Sequence, residues 1–418
     1  MNTPDDDLRK SAAERDQQAQ FAQILDRLRV TPQHFLDLTH EIGREAVATV
    51  DEAQPILIRP SNIRWPLTYL YRINIDKFDQ SLRTAMDALG VGYCYMIKRR
   101  GKILHVHASG WAQRGSDGPI SWAPHIPMNM GSVSKFVTAI AVVRLFRDSG
   151  ISLKTSIAGF LPQYWTQGTG VGGITFRDLL RHEAGLGSTI SGTGFGNFAE
   201  AKSEIASGPS ASTKGTYNYK NVNFAILRIF FATLTGTLSP ASTTPSPGIS
   251  DDAFWDAASA LAYQDYVNDN VFAPAIVDPR DFSADANAAL AYATPPVAPG
   301  ARIVDGPGGS GPSGWHMSIG ELARLLDEFR AGAMMEKWRA QQVLSNGYGL
   351  DLALTTNSGQ VYTKGGRKLA GSQGIDSAIY LMPGDVAFAI YVNSWDGTPG
   401  GHLAGIPALI QSSVEFVL

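Results

Sequence analysis

The sequence predicts an α+β fold: a central antiparallel β-sheet flanked by helices, with a mainly helical lobe inserted into it. Three observations carry this expectation. Strand-like stretches gather toward both ends of the chain, in residues 90–111 and 346–392. The middle, from 150 to about 300, is rich in short helices, glycine and proline. A long apolar helix, residues 132–147, stands immediately ahead of that middle. With 418 residues, 44% of them hydrophobic, the chain can build one large core. There is no internal repeat.

Residues 1–74 read as an N-terminal extension of unassigned role. Residues 12–30 and 31–47 carry helical periodicity with many charges, and 52–67 are extended and interrupted by proline. The main body spans 75–418, with the sheet region in 75–150 and 300–418 and the helical lobe in 151–299. Residues 75–89 form an amphipathic helix whose stripe is Phe78, Leu82, Met86 and Leu89. Residues 90–98 and 102–111 form a hairpin about Arg100-Gly101. The apolar helix of 132–147 ends at Ser149-Gly150. Residues 237–252, a Ser/Thr/Pro/Gly stretch, read as a mobile surface insertion. Strands are expected over 346–354, 359–364, 377–382 and 386–392, the last two joined by Pro383-Gly384-Asp385, and residues 406–417 read as a closing helix.

Composition excludes several classes of function. A net charge of −3 without a basic half gives nucleic-acid binding no electrostatic support. The apolar run 136–143 is too short to cross a bilayer. Residues 1–20 are polar and lack the apolar core of a signal peptide, which predicts a cytoplasmic protein, or a periplasmic or secreted one had a signal been removed. The single cysteine, Cys94, excludes an internal disulfide framework and reads as a buried strand residue. Oligomeric state is left open, with a homo-oligomer compatible with the sequence.

Ser132-Val133-Ser134-Lys135 is the most informative stretch. Positions i and i+3 of a helix share a face, so the lysine can take the serine's proton if burial lowers its pKa. The helix start also offers N–H groups to an oxyanion. Alone, the pattern is weak, since S-x-x-K occurs often by chance and most instances are solvated helix starts with serine as N-cap. Tyr217-Asn218-Tyr219-Lys220-Asn221 places a phenol and an amide two residues apart on a tight loop, suited to shuttling a proton and holding a lysine or a carbonyl, or simply to a turn. Lys364-Gly365-Gly366 ends a strand with glycines that permit close backbone approach and a lysine that adds positive charge; a hairpin turn is the bland alternative. His182 reads as a helix-end histidine with a structural hydrogen bond. His105, His107 and His316 lack metal-ligand spacing, so no metal and no cofactor is expected. The G-x-G-x-x-G matches at Gly168/Gly170/Gly173 and Gly306/Gly308/Gly311 read as loops. The absence of a G-x-S-x-G elbow argues against an α/β-hydrolase.

In order and spacing, Ser132-x-x-Lys135, residues 174–186, Tyr219-x-Asn221 and Lys364-x-Gly366 resemble the serine β-lactamase-like superfamily, in its class C branch: class C β-lactamases, D-alanyl-D-alanine carboxypeptidases, β-lactamase-fold esterases, D-aminopeptidases and oligoamide hydrolases. The lead-in Met128-Asn129-Met130-Gly131, the run Gly314-Trp315-His316-Met317-Ser318 and Tyr348-Gly349-Leu350 add to the likeness, which covers residues 75–418. It implies a β-lactamase/transpeptidase-like fold and a serine hydrolase that cleaves a carboxylic ester or small amide. Ser132 would be the acylated nucleophile, Lys135 and Tyr219 the general base, and Asn221 an orienting amide. The N–H groups of Ser132 and Arg367 would form the oxyanion hole, and Lys364, Gly365 and Gly366 would contact substrate. The sequence departs from the pattern at Gly365, where carboxylate-recognising members carry Thr or Ser, and at Lys220, usually a small residue. Many esterases of the family have His or Trp where Lys364 stands. The alternatives left open are a β-lactamase or D-amino-acid peptidase, and a penicillin-binding-like sensor or acyltransferase that does not release product to water.

Overall fold

The computed structural model describes residues 71–398 and 400–416. All but the last four residues of the expected 1–74 extension lie outside them. The described residues form two compact units, one made of Asp148–Tyr266 and Gly306–Gly311, the other of 71–147, 267–305, 312–398 and 400–416.

The larger unit is built on an eight-stranded sheet: β1 (Tyr93–Arg99), β2 (Lys102–Ser109), β3 (Tyr292–Ala293), β4 (Leu352–Thr356), β5 (Gly359–Ala370), β6 (Gln373–Met382), β7 (Val386–Val392) and β8 (Ser394–Trp395). The order is β8-β3-β6-β7-β1-β2, with β5 pairing both β6 and β4. Every pairing is antiparallel except the short β8–β3 contact. The β1–β2 hairpin turns at Arg100 and Gly101, both at positive φ (50° and 84°), as a two-residue turn matched to the twist of the strands requires.

The helices, in chain order, are α1 (Ile75–Asp87), α2 (Ser134–Ser149), α3 (Phe176–Leu180), α4 (Phe198–Ser207), α5 (Val222–Leu234), α6 (Asp251–Val267), α7 (Ile319–Ala331), α8 (Lys337–Ser345) and α9 (Ile406–Ser412). Against one face of the sheet, Phe78, Leu82 and Met86 of α1 and Ile406 and Ile410 of α9 close on Tyr93, Tyr95, Ile97, Tyr380, Phe388 and Ile390. The opposite face of β1 and β7 is covered by α7, and the Phe136–Phe329 ring contact at 5.2 Å ties α2 to α7. Cover on both faces explains why 386–392 is buried throughout and why its sequence shows an apolar run rather than an alternation. Cys94 is buried in β1, and burial pushes its thiol pKa up, so it is a packing residue, as its apolar setting predicts.

Several expectations change in detail, and the strand expected over 377–382 begins earlier, at Gln373. The strand expected over 346–354 begins only at Leu352, because α8 runs to Ser345 and Gly347 and Gly349 then turn the chain at φ of 70° and 67°. The strand of the third motif extends to Ala370. The closing helix stops at Ser412, where the hydroxyls of Ser412 and Ser413 bond back to the Leu409 carbonyl (3.0 and 2.8 Å); Val414–Phe416 then pairs with Tyr71–Ile73.

In the smaller unit, α5 is buried from Val222 to Ala232 and packs on α3 and α4. The 237–252 stretch is irregular up to Asp251, where α6 begins. Trp255 donates its indole N–H to the Ser242 carbonyl (2.9 Å), and the Gln163 N–H bonds the Pro240 carbonyl (2.7 Å). The two glycine-rich matches are loops with short 3-10 turns, Val171–Gly173 and Pro307–Gly309.

Phe388 is fully buried and its ring meets those of Phe78 (5.2 Å), Tyr380 (5.3 Å) and Tyr95 (6.0 Å). Phe388→Ala is expected to lower the unfolding free energy in urea by about 3–5 kcal/mol.

Candidate active site

The nucleophile candidate sits in the larger unit, on the 3-10 turn Gly131–Val133 that feeds α2. Gly131 holds φ of 51°, and its N–H is bonded by the Asn129 side-chain oxygen at 2.7 Å, which sets the turn. Lys135, one helical turn on, is 0% exposed. Its Nζ donates to the Ser132 Oγ at 3.0 Å and to the Pro312 carbonyl at 3.0 Å. An amine buried this deeply needs such acceptors. Gly349 lets the 347–350 turn lie on α2, since a Cβ there would stand 2.6 Å from the Lys135 carbonyl oxygen and 2.8 Å from the Ala139 Cβ.

The third motif lies against the same turn. A Cβ on Gly366 would fall 2.3 Å from the Met130 carbonyl oxygen, 2.4 Å from the Ser377 Oγ and 2.9 Å from the Ser132 nitrogen. A Cβ on Gly131 would fall 3.0 Å from the Arg367 nitrogen. Only glycine at 366 lets β5 approach so closely. Side chains fasten the approach. The Ser377 hydroxyl donates to the Met130 carbonyl at 2.7 Å, with the Gly366 carbonyl 3.3 Å away. Asp305 accepts from the Asn129 amide at 3.0 Å and pairs with Lys368 of β5. One carboxylate thus ties Asn129, just ahead of the Ser132 turn, to the strand beyond Arg367. Burial alone would push the Asp305 pKa up, but Lys368 and Asn129 hold it below the usual carboxylate value. The Arg367 guanidinium is engaged by Asp376 (2.7 Å) and the Thr398 carbonyl (3.3 Å), so this residue's side chain serves structure.

Lys364 is 2% exposed, and its ammonium pairs with Asp351, whose other carboxylate oxygen accepts the Gly365 N–H at 2.8 Å. The β4–β5 ladder pairs Leu352 with Thr363, which sets Asp351 beside Lys364.

In the smaller unit, Tyr219 and Asn221 lie on the loop that enters α5. The Asn221 amide donates to the Gly194 carbonyl at 2.6 Å. Lys220, the departure from the usual small residue, reaches back to the Ile190 carbonyl at 2.9 Å and to that of Gly192. Buried Glu204 holds the same 187–194 loop from its other end through the Gly187 N–H (2.6 Å) and Thr189. His182 has the structural role expected of it, with specific partners. Its Nδ1 is 3.2 Å from the Asn223 amide and 3.4 Å from the Lys220 N–H, its carbonyl accepts the Asn218 N–H at 2.8 Å, and its ring lies 4.5 Å from that of Tyr219. It braces the Tyr219 loop.

Asn129, Asp305, Asp351 and Ser377 were not singled out from sequence. Asp351 alone left a usable signal: the register of the 352–356 and 359–370 hairpin puts it next to the third motif.

The fold and the Ser132–Lys135 pair define the class first: an antiparallel-sheet α+β protein with serine and lysine joined at the head of a buried helix. The family follows. Residues 78–408 match the Beta-lactamase family model, and the chain belongs to that family, as the motifs imply. It is 24% identical over 158 residues to the putative penicillin-binding protein PbpX of Bacillus subtilis (strain 168), and 30% identical over 112 residues to esterase EstB of Burkholderia gladioli. These alignments take in 38% and 26% of this chain and 39% and 27% of those relatives, so the chain matches well under half of their length. Among solved structures it superposes on a D-amino acid amidase from Ochrobactrum anthropi SV3 with a TM-score of 0.61 at 16% identity, covering 80% of this chain and 97% of that one. Among the described residues no helix is long and apolar enough to cross a membrane.

His316 lies opposite Asn129 in the short pairing of Pro127–Asn129 with His316–Ser318, its ring nitrogens near the Gly314 (3.2 Å) and Ile303 (3.0 Å) carbonyls. Burial lowers its pKa, against the raising effect of those carbonyls and of Asp305. A histidine held neutral by the fold stabilises fully above the unfolded value of 6.5, and that contribution is lost as pH falls below it. The thermal midpoint should therefore drop between pH 7.5 and about 5.5, and His316→Gln should flatten that slope.

Proposed function

We propose that this chain is a serine hydrolase that cleaves a carboxylic ester or small amide through an acyl-enzyme on Ser132. The observation that carries this reading is the buried Lys135 amine bonded at 3.0 Å to the Ser132 hydroxyl. A serine is a weak nucleophile unless a base takes its proton as it attacks. In the proposed route Lys135 and Tyr219 accept that proton as the Ser132 Oγ bonds the carbonyl carbon. The N–H groups of Ser132 and Arg367 receive the oxyanion. Tyr219 returns the proton to the leaving oxygen or nitrogen as that bond breaks. Water then enters by the same steps in reverse order, releasing the acid and restoring Ser132. Asn221 orients the polar groups of this machinery, and the Lys364–Gly366 strand lines the substrate. The esterase and amidase names among the similar proteins support an ester or amide bond as the target.

A second reading, a penicillin-binding-like protein that acylates without turnover, draws on Gly365, which offers no hydroxyl to a β-lactam carboxylate. Turnover of p-nitrophenyl esters and of nitrocefin, with intact-mass spectrometry, separates the two. Wild type should turn over esters, with Ser132→Ala slower by at least about 10³-fold. Equal turnover by both proteins would end the serine reading, and a persistent adduct on Ser132 without product release would replace it with the second.

A further inference from the structure

The third motif of this chain departs from the family pattern at Gly365. Lys364 contributes a buried cation, yet Gly365 offers no hydroxyl. The structure supplies what stands there instead. The Asp351 carboxylate takes the Lys364 ammonium on one oxygen and the Gly365 N–H on the other, at 2.8 Å. A Cβ at position 365 would lie 3.6 Å from that second oxygen. The carboxylate therefore occupies the side of the strand where a hydroxyl-bearing residue at 365 would meet it. It is also the more accessible partner, with its side chain 26% exposed against 2% for Lys364. Two residues along the same strand, Gly366 closes on the Ser132 nitrogen.

We infer that Asp351 is a specificity-determining residue, and that it restricts the site to acyl donors with no carboxylate near the scissile bond: neutral esters and amides. This rests on the proposed hydrolase reading and names its substrate class. A cation paired at contact distance with a carboxylate offers little net field to an incoming anion. A substrate carboxylate brought to the 364–365 segment meets a like charge and finds both nearby donors, the Lys364 ammonium and the Gly365 N–H, already bonded to Asp351. A neutral group displaces nothing and meets no repulsion.

The test uses two matched ester pairs. p-Nitrophenyl hemisuccinate and its methyl ester place the charge on the acyl side; 3-acetoxybenzoate and its methyl ester place it on the leaving group. Spontaneous hydrolysis is subtracted as background, and the kcat/KM of each anionic ester is compared directly with that of its methyl ester. In wild type the anionic member of at least one pair should be disadvantaged by about tenfold or more. Asp351→Asn, which keeps the size and an acceptor oxygen, should narrow that ratio by about tenfold. Parity or a preference for the anion in both pairs overturns the inference, as does an unchanged ratio in Asp351→Asn. Should that variant not fold, salt decides: raising it from about 0.05 to about 0.5 M should relieve the anion's disadvantage, and a larger disadvantage overturns the inference. Ser132→Ala is run alongside. If it hydrolyses the methyl esters as wild type does, or if wild type neither turns them over nor forms an adduct by intact mass, the hydrolase reading itself fails. If Ser132 is required but charge makes no difference, only the role of Asp351 fails.

Discussion

The close approach of strand β5 to the turn that carries Ser132 is the constraint on which the rest of the site depends. At Gly366 the strand backbone lies so near Met130, Ser377 and Ser132 that no side chain fits between them. Two anchors hold the approach from either side. The Ser377 hydroxyl joins the Ser132 turn to β6, and Asp305 joins Asn129, just ahead of the turn, to Lys368, just beyond Arg367. A third contact, at Gly349, fixes α2 at the carbonyl of Lys135, the residue whose amine meets the Ser132 hydroxyl. Groups held by packing and by bonds of this kind need no reorganisation when charge develops beside them.

The same strand solves an electrostatic problem. β5 carries three cations within five residues, Lys364, Arg367 and Lys368, and each has a carboxylate of its own: Asp351, Asp376 and Asp305. Breaking such a buried pair is costly, because it strands a charge away from water. The pairing also decides what the strand can attract. A stretch whose lysine adds positive charge in the sequence is, in three dimensions, a set of ion pairs.

Much of this was legible in the sequence, for physical reasons that differ by element. The sheet, α1 and the β1–β2 hairpin follow from local patterning, since Phe78, Leu82 and Met86 mark one helical stripe and Arg100-Gly101 marks a two-residue turn. The Ser132–Lys135 pair was legible because helical spacing fixes its geometry within four residues. The strand expected over 346–354 was misplaced because two glycines at positive φ override an apolar run. Of the supporting carboxylates, Asp305 and Asp376 were not legible. Asp305 stands 63 residues from its partner Lys368, and only the folded sheet brings them together. Lys220, an odd residue by family pattern, finds its reason only in the carbonyls of the 190–192 loop.

The central claim is that the Gly366 approach assembles the site. The most direct measurement is the rate of Ser132 acylation in Gly366→Ala, read by intact mass with a p-nitrophenyl ester beside a circular-dichroism melt. The expected result is acylation slowed by at least about 100-fold, because the added methyl must push β5 from the turn and even small displacements of catalytic groups carry penalties of that order. Acylation at the wild-type rate would show that the site does not depend on the close approach at Gly366.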